Sequence, residues 1–207
     1  MGLFGNRYGM SIEISKASFV YSCPKLSMMR DYGDEVAFFG RSNAGKSSLI
    51  NSVMKKELAK TSKTPGRTRH AVVYDVRLKK NVDQKKIYLV DLPGFGFALM
   101  SKEEALEVEK LVFSYLENRT NLKAAFLLMD IRRVPNEVDL KIIEICSDKN
   151  INLFLVLTKY DKIAKSQLKP TLQNIYKYVK LDPNQVIIHS TFFADSSEDI
   201  RKKIFDL

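Results

Sequence analysis

The stretch GRSNAGKS at residues 40 to 47 has the residue types and spacing of a loop that holds phosphate groups. It fits the pattern G-x-x-x-x-G-K-[ST], in which backbone N–H groups surround phosphate oxygens and the lysine reaches the β- and γ-phosphates. The closing hydroxyl of such a loop ligates Mg²⁺, so Ser47 is a predicted metal ligand. The predicted phosphate-binding residues are Gly40, Arg41, Ser42, Asn43, Ala44, Gly45, Lys46, Ser47 and Ser48.

The stretch LVDLPGFGFA at residues 89 to 98 places an aspartate at the end of an apolar run. Asp91 is predicted to hold Mg²⁺ through a water molecule, and Gly94 to bond the γ-phosphate through its backbone N–H. The next residue is Phe95, whose side chain has no donor or acceptor with which to orient an attacking water. We therefore expect intrinsic hydrolysis of a nucleoside triphosphate to be slow.

The stretch LTKYDK at residues 157 to 162 predicts which base is bound. A carboxylate at Asp161 can accept hydrogen bonds from the ring N–H and the exocyclic amine of guanine, whereas adenine offers no matching pair of donors. The stem of Lys159 can lie over the base, and we include Thr158 in the same site. Ser190 and Thr191, which follow the last apolar run, are expected to face the base edge.

Between these motifs lies AKTSKTPGRTRHAVV, residues 59 to 73, which is typical of a loop that responds to the γ-phosphate. The hydroxyl of Thr68 is predicted to complete the Mg²⁺ shell when a triphosphate is bound, with Thr64 as the second choice. The predicted nucleotide site also includes the neighbouring residues Pro65, Gly66 and Arg67.

The elements that position these residues are predicted by apolar runs that alternate with helical patterns. Most runs are continuously apolar, as in strands buried on both faces, but residues 71 to 78 alternate and predict an antiparallel edge strand with one wet side. The six predicted strands are EVAFFG (35 to 40), AVVYDVRL (71 to 78), KIYLVD (86 to 91), AAFLLMD (124 to 130), INLFLVLT (151 to 158) and QVIIHS (185 to 190).

Helices are predicted after the phosphate loop, over 101 to 118, 136 to 147 and 165 to 180, and after Ser196-Ser197. The helix over 101 to 118 is predicted to begin with a capping box formed by Ser101 and Glu104. Together these elements predict an α/β fold of three layers, the P-loop GTPase fold. Its six-stranded, mostly parallel sheet has one antiparallel edge strand and helices on both faces. We expect a single domain over residues 1 to 207, with an extension at 1 to 17 and a core at 35 to 205.

Composition limits the class of protein. The 207 residues are 45% hydrophobic and carry a formal net charge of +10, so the surface should attract polyanions, nucleic acid first. No apolar run approaches the roughly 18 residues that span a bilayer, and no signal peptide is visible, which predicts an intracellular protein. Cys23 and Cys146 match no metal spacing and are expected to be reduced thiols.

Together the motifs resemble one family, the EngB/YihA/YsxC ribosome-biogenesis GTP-binding proteins of the TRAFAC class of P-loop GTPases. The resemblance covers about residues 18 to 205 and is carried by EVAFFGRSNAGKSSLIN, TSKTPGRTRH, DLPGFGFA, DIRRVPNEVDL and LTKYDK. It implies a monomeric GTPase of the bacterial cytoplasm, an organelle matrix being the other location, with a family link to septation and cell division. The implied cofactors are GTP or GDP and Mg²⁺, and the implied partners are pre-50S particles and rRNA, not membrane or DNA.

Asn43 resembles the P-loop asparagine with which several related GTPases coordinate K⁺, which leads to the hypothesis of K⁺-stimulated hydrolysis. The alternatives are that a cation supplied in trans provides the charge and that the Asn43 amide only bonds the loop backbone. The predicted catalytic set is Lys46, Thr68, Gly94 and Asn43.

Two other classes of protein share part of this pattern. A P-loop nucleotide kinase would have the phosphate loop but would need an arginine-rich lid and no TKYD motif. A nucleotide-independent RNA-binding protein would explain the charge, including the lysines near residues 55 to 63 and 159 to 169, but would leave Lys46, Ser47 and Asp91 without a role. The sequence therefore favours the GTPase.

Overall fold

The computed structural model describes residues 11–60, 70–96, 100–193 and 196–207. Seven strands form one sheet, and the helices lie on its two faces. The strands are β1 (Glu13–Cys23), β2 (Glu35–Gly40), β3 (Ala71–Lys80), β4 (Asp83–Asp91), β5 (Leu122–Asp130), β6 (Asn152–Thr158) and β7 (Val186–Ile188). The helices are α1 (Lys46–Met54), α2 (Lys102–Asn118), α3 (Glu137–Asp148), α4 (Leu168–Ile175) and α5 (Glu198–Phe205).

The sheet has the order β1-β3-β4-β2-β5-β6-β7. Strands β4, β2, β5, β6 and β7 are parallel, whereas β3 runs antiparallel to both of its neighbours. The predicted α/β fold with a mostly parallel sheet is therefore confirmed, but the predicted count of six strands is wrong.

The strand that the sequence did not reveal is β1, which pairs with β3 at the edge of the sheet. Its pairing register shifts between Ile14 and Lys16 and again between Phe19 and Tyr21. Each irregularity breaks the alternation of polar and apolar residues by which a strand is identified. The strand order shows that β3 is antiparallel, as predicted, but that β1 and not β3 is the edge strand. Part of the expected N-terminal extension therefore belongs to the sheet.

The helices follow the predicted pattern with one difference. Helix α2 begins with the predicted capping box, in which Ser101 Oγ accepts from the N–H of Glu104 and the Glu104 carboxylate accepts from the N–H of Ser101. The helix predicted over 165 to 180 is shorter, because the α-helix begins at Leu168 and ends at Ile175. Starting at Leu168 keeps Pro170 in the first turn, where its missing N–H costs no hydrogen bond.

Two hydrophobic cores lie on opposite faces of the sheet. The core on one face receives buried side chains from α2, α3 and α4, and the core on the other from α1 and α5. Because β2, β4 and β6 are parallel and end at the same edge, the residues that follow them are brought together. None of the described helices is both long and apolar enough to cross a membrane.

Candidate nucleotide site

The loop between β2 and α1 has the backbone shape that a phosphate site requires. Gly45 precedes the first residue of α1 with φ 90°, a left-handed conformation that suits glycine. A Cβ on Gly40 would lie 3.0 Å from the backbone oxygen of Leu128, so the close approach of β5 also favours glycine. The free N–H groups at the start of α1 face this loop, which makes it suitable for an anion.

The turn after β4 is hydrogen-bonded to the phosphate loop. The N–H of Ser42 donates to the carbonyl of Phe95 at 2.9 Å, and the N–H of Phe95 donates to the carbonyl of Gly40 at 3.3 Å. A Cβ on Gly94 would meet Ser42 Oγ at 3.3 Å. The Phe95 ring is 1% exposed, so it belongs to the core and cannot approach an attacking water.

Lys46 and Asp91 form a buried ion pair, in which Lys46 Nζ contacts Asp91 Oδ1. Both side chains are buried, and buried charges need a partner because burial removes their hydration. The pair brings the P-loop lysine and the predicted metal-water ligand to one point. Ser47 follows Lys46 in the first turn of α1.

A cavity of about 230 Å³ adjoins the phosphate loop where β6 and β7 end. Its lining combines the phosphate loop, the TKYD segment and the loop after β7. The predicted residues in this lining are Ala44, Gly45, Ser48, Thr158, Lys159, Asp161 and Thr191. The residues that sequence reasoning missed are Lys162, His189 and Phe192.

Asp161, the predicted guanine acceptor, is held in its charged form. Its Oδ1 accepts a hydrogen bond of 2.6 Å from Ser190 Oγ, and Lys162 Nζ lies 3.1 Å from Oδ2. Burial acts to raise the pKa of Asp161, but the Ser190 hydrogen bond and the Lys162 charge outweigh it and lower that pKa. The Ser190 hydroxyl thus positions the carboxylate, while Thr191 lines the cavity.

Thr158 joins the base segment to the phosphate loop. Its side chain is buried, and Oγ1 lies 2.7 Å from the carbonyl oxygen of Ala44 and 3.2 Å from that of Met129. A hydroxyl has one proton to donate, and the shorter contact is with Ala44. This hydrogen bond fixes the distance between the end of the phosphate loop and the loop that carries Asp161.

Asp130, at the end of β5, positions Lys159 and was not predicted as a site residue. Its Oδ2 lies 3.2 Å from Lys159 Nζ and accepts from Arg132 Nη2 at 2.6 Å. Burial acts to raise the pKa of Asp130, but the Arg132 hydrogen bonds and Lys159 hold it well below its usual range. The signal was available, because DIRR places this aspartate at the carboxyl end of a buried strand.

The loop after β7 forms the remaining wall of the cavity. His189 is buried, its Nδ1 lies 2.8 Å from Ser196 Oγ, and burial lowers the pKa of its ring, so the imidazole is neutral at pH 7. Phe192 is 74% exposed at the mouth of the cavity, and Lys162 Nζ lies 5.1 Å from its ring centroid. The exposed aromatic pair in HSTFF was the only sequence signal for Phe192.

The structure does not describe every residue that the sequence predicts for the site. Thr68, its alternative Thr64, and Pro65, Gly66 and Arg67 lie outside the described residues. Asn43 is described: it is exposed and has φ 65°. Its side chain forms no hydrogen bond to another residue of the described ranges, so the amide is not used to brace that part of the loop.

Comparison with known proteins gives one consistent family. A family model described as "50S ribosome-binding GTPase" matches residues 35–159. The probable GTP-binding protein EngB of Myxococcus xanthus is 40% identical over 180 residues, which cover 86% of this chain and 86% of that protein. The protein of the same description from Caldanaerobacter subterraneus is 39% identical over 181 residues, with coverages of 86% and 90%.

A solved structure supports the fold. The crystal structure of a probable GTP-binding protein engB superimposes with a TM-score of 0.65 at 24% identity and covers 83% of this chain and 97% of that chain. The P-loop GTPase fold predicted from the sequence is therefore confirmed.

We predict that Thr158→Val separates the two halves of the site. Valine matches threonine in shape but leaves the carbonyl of Ala44 without its donor, which should lower the free energy of unfolding by about 1–2 kcal/mol. GDP affinity should fall about tenfold, because the base and phosphate segments are no longer held in register. Urea unfolding and GDP titration measure the two effects.

Thr158→Ser is the matched control, because it keeps the hydroxyl and should retain most of the affinity. An unchanged GDP affinity in Thr158→Val would contradict a coupling role for this hydrogen bond.

Proposed function

The chain belongs to the EngB family of GTP-binding proteins, and on that premise we propose that it is a nucleotide switch in assembly of the large (50S) ribosomal subunit. As a member of a GTPase family it converts GTP to GDP and phosphate. The observation that carries the proposal is the joining of a carboxylate-bearing base cavity to a phosphate loop. The ribosomal role is supported by the description of the matching family model and by the net charge of +10.

The residues present fit a magnesium ion that is held mainly by phosphate and water. Mg²⁺ is usually bound through one or two carboxylates together with phosphates and waters, and Ser47 and Asp91 offer one hydroxyl and one carboxylate. Within the described ranges no group of three or more His, Cys, Asp or Glu side chains could form an all-protein metal cage. We propose that Ser47 binds Mg²⁺ directly and Asp91 through water, with Thr68 as the predicted further ligand. When bound, the ion neutralises charge on the β- and γ-phosphates.

The chain's own residues then divide the work. Lys46, which pairs with Asp91, is placed to move its ammonium group into contact with the β- and γ-phosphate oxygens. Gly94 has a backbone N–H that can bond the γ-phosphate, and its turn is hydrogen-bonded to the phosphate loop. Loss of the γ-phosphate would therefore change the contacts of both the turn and the phosphate loop. Because Phe95 is buried, no side chain at that position activates water, and we propose a low intrinsic rate.

The base specificity is tested by Asp161→Asn. The amide can donate to the second carbonyl of xanthine, whereas it presents a donor against the guanine amine, so the preference should shift from GDP to XDP. We expect GDP affinity to fall about a hundredfold or more, since a site built to accept hydrogen bonds then has an unpaired polar group.

Competition titrations with GDP, XDP and ADP measure this shift. Lys165→Gln is a nearby control that removes an exposed charge from a residue outside the cavity lining. If ADP displaces labelled GDP from the unaltered protein as well as GDP itself does, the base assignment is wrong.

The ribosomal role is tested by cosedimentation with immature large subunits. We propose that the protein acts as a monomer in the cytoplasm and binds pre-50S particles and rRNA in the GTP state. It should therefore pellet with these particles when it holds a non-hydrolysable GTP analogue and remain in the supernatant with GDP.

Asp161→Asn supplies the internal control, because the same variant should pellet with a xanthosine triphosphate analogue and not with the GTP analogue. Equal pelleting in all nucleotide states would contradict a nucleotide-controlled role.

We propose that K⁺ supplies the positive charge that hydrolysis otherwise lacks. The amide of Asn43 is exposed, sits on a left-handed backbone and makes no hydrogen bond to another described residue, so its oxygen is available to a cation. A cation there would lie beside the phosphates, where negative charge develops in the transition state.

Turnover measured in KCl and in NaCl at matched ionic strength tests this proposal. We expect KCl to be about tenfold faster, equivalent to about 1.4 kcal/mol of transition-state stabilisation. Asn43→Ala should remove the difference without abolishing GDP binding. Equal rates in the two salts would exclude a K⁺ role.

A further inference from the structure

Three cations lie side by side across β1, β3 and β4. Lys16 of β1 is directly opposite Arg77 of β3, and Arg77 is directly opposite Lys86 of β4. Residues opposite one another on antiparallel strands project from the same face of the sheet. All three residues are exposed, so this face carries a continuous cationic row.

The row works against the stability of the sheet. Like charges directly opposite each other on neighbouring strands are destabilising, and Arg77 has a cation on each side. Among the described residues one carboxylate forms an ion pair with the row, Asp75, whose Oδ2 lies 3.5 Å from Lys16 Nζ, while Glu13 lies opposite the neighbouring Lys79. A local arrangement that opposes folding is expected where a protein needs it for binding.

Aromatic rings lie next to the row on the same face. Tyr88, two residues after Lys86 on β4, has Lys86 Nζ 4.9 Å from its ring centroid. The ring of Tyr32 lies 5.5 Å from that of Tyr88 and 5.8 Å from that of Tyr21. Tyr32 is 40% exposed, so this three-ring cluster presents an accessible aromatic surface beside the cations.

Arg30, in the segment between β1 and β2, holds two of the rings in place and adds a further cation to the surface. The N–H of Arg30 donates to the hydroxyl of Tyr21 at 3.1 Å, and Arg30 Nη1 donates to the hydroxyl of Tyr32 at 3.3 Å. We name this surface the cationic sheet face and define it as Lys16, Arg30, Arg77, Lys86, Tyr21, Tyr32 and Tyr88. Its geometry is fixed before any partner arrives, which reduces the entropy lost on binding.

The opposite face of the same strands is covered. There Lys85 Nζ donates to the carbonyl of Phe205 at 3.0 Å, and Lys80 Nζ lies 5.8 Å from the Phe205 ring, so the end of α5 packs against it. The cationic sheet face is also separate from the nucleotide site. Lys86 is five residues before Asp91 on β4, which corresponds to about 17 Å along the strand.

We propose that the cationic sheet face binds unpaired RNA. Cations that contact phosphates, beside aromatic rings on which bases stack, are the combination by which proteins hold single-stranded nucleic acid, and a sheet surface is a common support for it. The choice of RNA over DNA rests on the proposed function, in which the partner is the RNA of an immature large subunit. The cationic sheet face thereby supplies a contact with RNA that does not include the nucleotide-binding residues.

RNA fits this surface better than an anionic membrane does. The apolar groups of the face are tyrosine rings, two of which, Tyr21 and Tyr32, have hydroxyls hydrogen-bonded to Arg30, and not exposed aliphatic side chains that enter a lipid layer. The exposed Val82 lies in the turn between β3 and β4, but Asp83 follows it, and a carboxylate is repelled by acidic headgroups.

The test uses the full chain saturated with a non-hydrolysable GTP analogue, the state in which the proposed function places rRNA binding, and a fluorescent, unstructured RNA oligonucleotide. Replacing Lys16, Arg77 and Lys86 together by Gln should weaken RNA binding about tenfold or more, and the slope of log affinity against log salt should fall by about 2, or about 0.7 for each lost phosphate contact. Tyr32→Leu should weaken binding at least about fivefold through lost stacking, whereas Tyr32→Phe, which keeps the ring, should not.

The matched control replaces Lys149, Lys177 and Lys180 by Gln, which changes net charge equally at exposed sites away from the cationic sheet face. RNA binding should survive in this control. The variant in which Lys16, Arg77 and Lys86 are replaced by Gln, the patch variant, should unfold at the same or a higher temperature, because the like-charge row is relieved. Its GDP affinity should be unchanged, so failure of this inference is distinguishable from failure of GTP binding or of nucleotide-dependent cosedimentation.

Equal weakening by the patch and control variants would overturn the inference, because binding would then follow net charge alone. The inference would also be overturned if the patch variant bound RNA normally but lost binding to phosphatidylserine vesicles, which would assign the face to a membrane. Equal affinity for single-stranded DNA would overturn the choice of RNA.

Discussion

The hydrogen bond from the Thr158 hydroxyl to the Ala44 carbonyl is the contact on which the site depends. It connects the end of β6 to the loop after β2, two segments that are distant in sequence and end at the same edge of a parallel sheet. A bound nucleotide places its base and its phosphates at one separation, so a protein that recognises both must hold their two sites at that separation. A buried hydroxyl bonded to a buried carbonyl does this with little freedom, because either group left unpaired would be costly.

Charge is distributed so that each part of the molecule uses it differently. At the phosphate loop, Lys46 and Asp91 neutralise one another in a buried ion pair. In the proposed nucleotide complex, Lys46 would contact the phosphates and Asp91 would hold the metal ion through water. At the base cavity, Asp130 and Asp161 are kept ionised by neighbouring cations and hydrogen bonds. In the row of Lys16, Arg77 and Lys86, the one ion pair within the described chain is that of Lys16 with Asp75, which leaves positive potential facing outward. Part of the net charge of +10 is therefore concentrated on the cationic sheet face.

The phosphate loop and the turn after β4 form one hydrogen-bonded unit, and this explains why the Phe95 position supplies no side chain that could orient water. The contacts that place Gly94 beside Ser42 also anchor the backbone of Phe95, whose ring is buried in the core. The position that can orient water in other GTPases here stabilises the fold instead. Such an arrangement suits the proposed switch, in which the signal is the presence of the γ-phosphate and not its turnover.

The sequence by itself determined the fold class, the phosphate loop, the capping box of α2 and the grouping of Asp161 with its motif, because these depend on short spacings and local periodicity. It did not determine β1, whose two irregularities hide the alternation of a strand. Nor did it reveal that Asp130 holds Lys159, that Ser190 positions Asp161, or that Lys16, Arg77 and Lys86 form one row. Those relations are set by strand order and register, and only the tertiary structure decides which distant residues become neighbours.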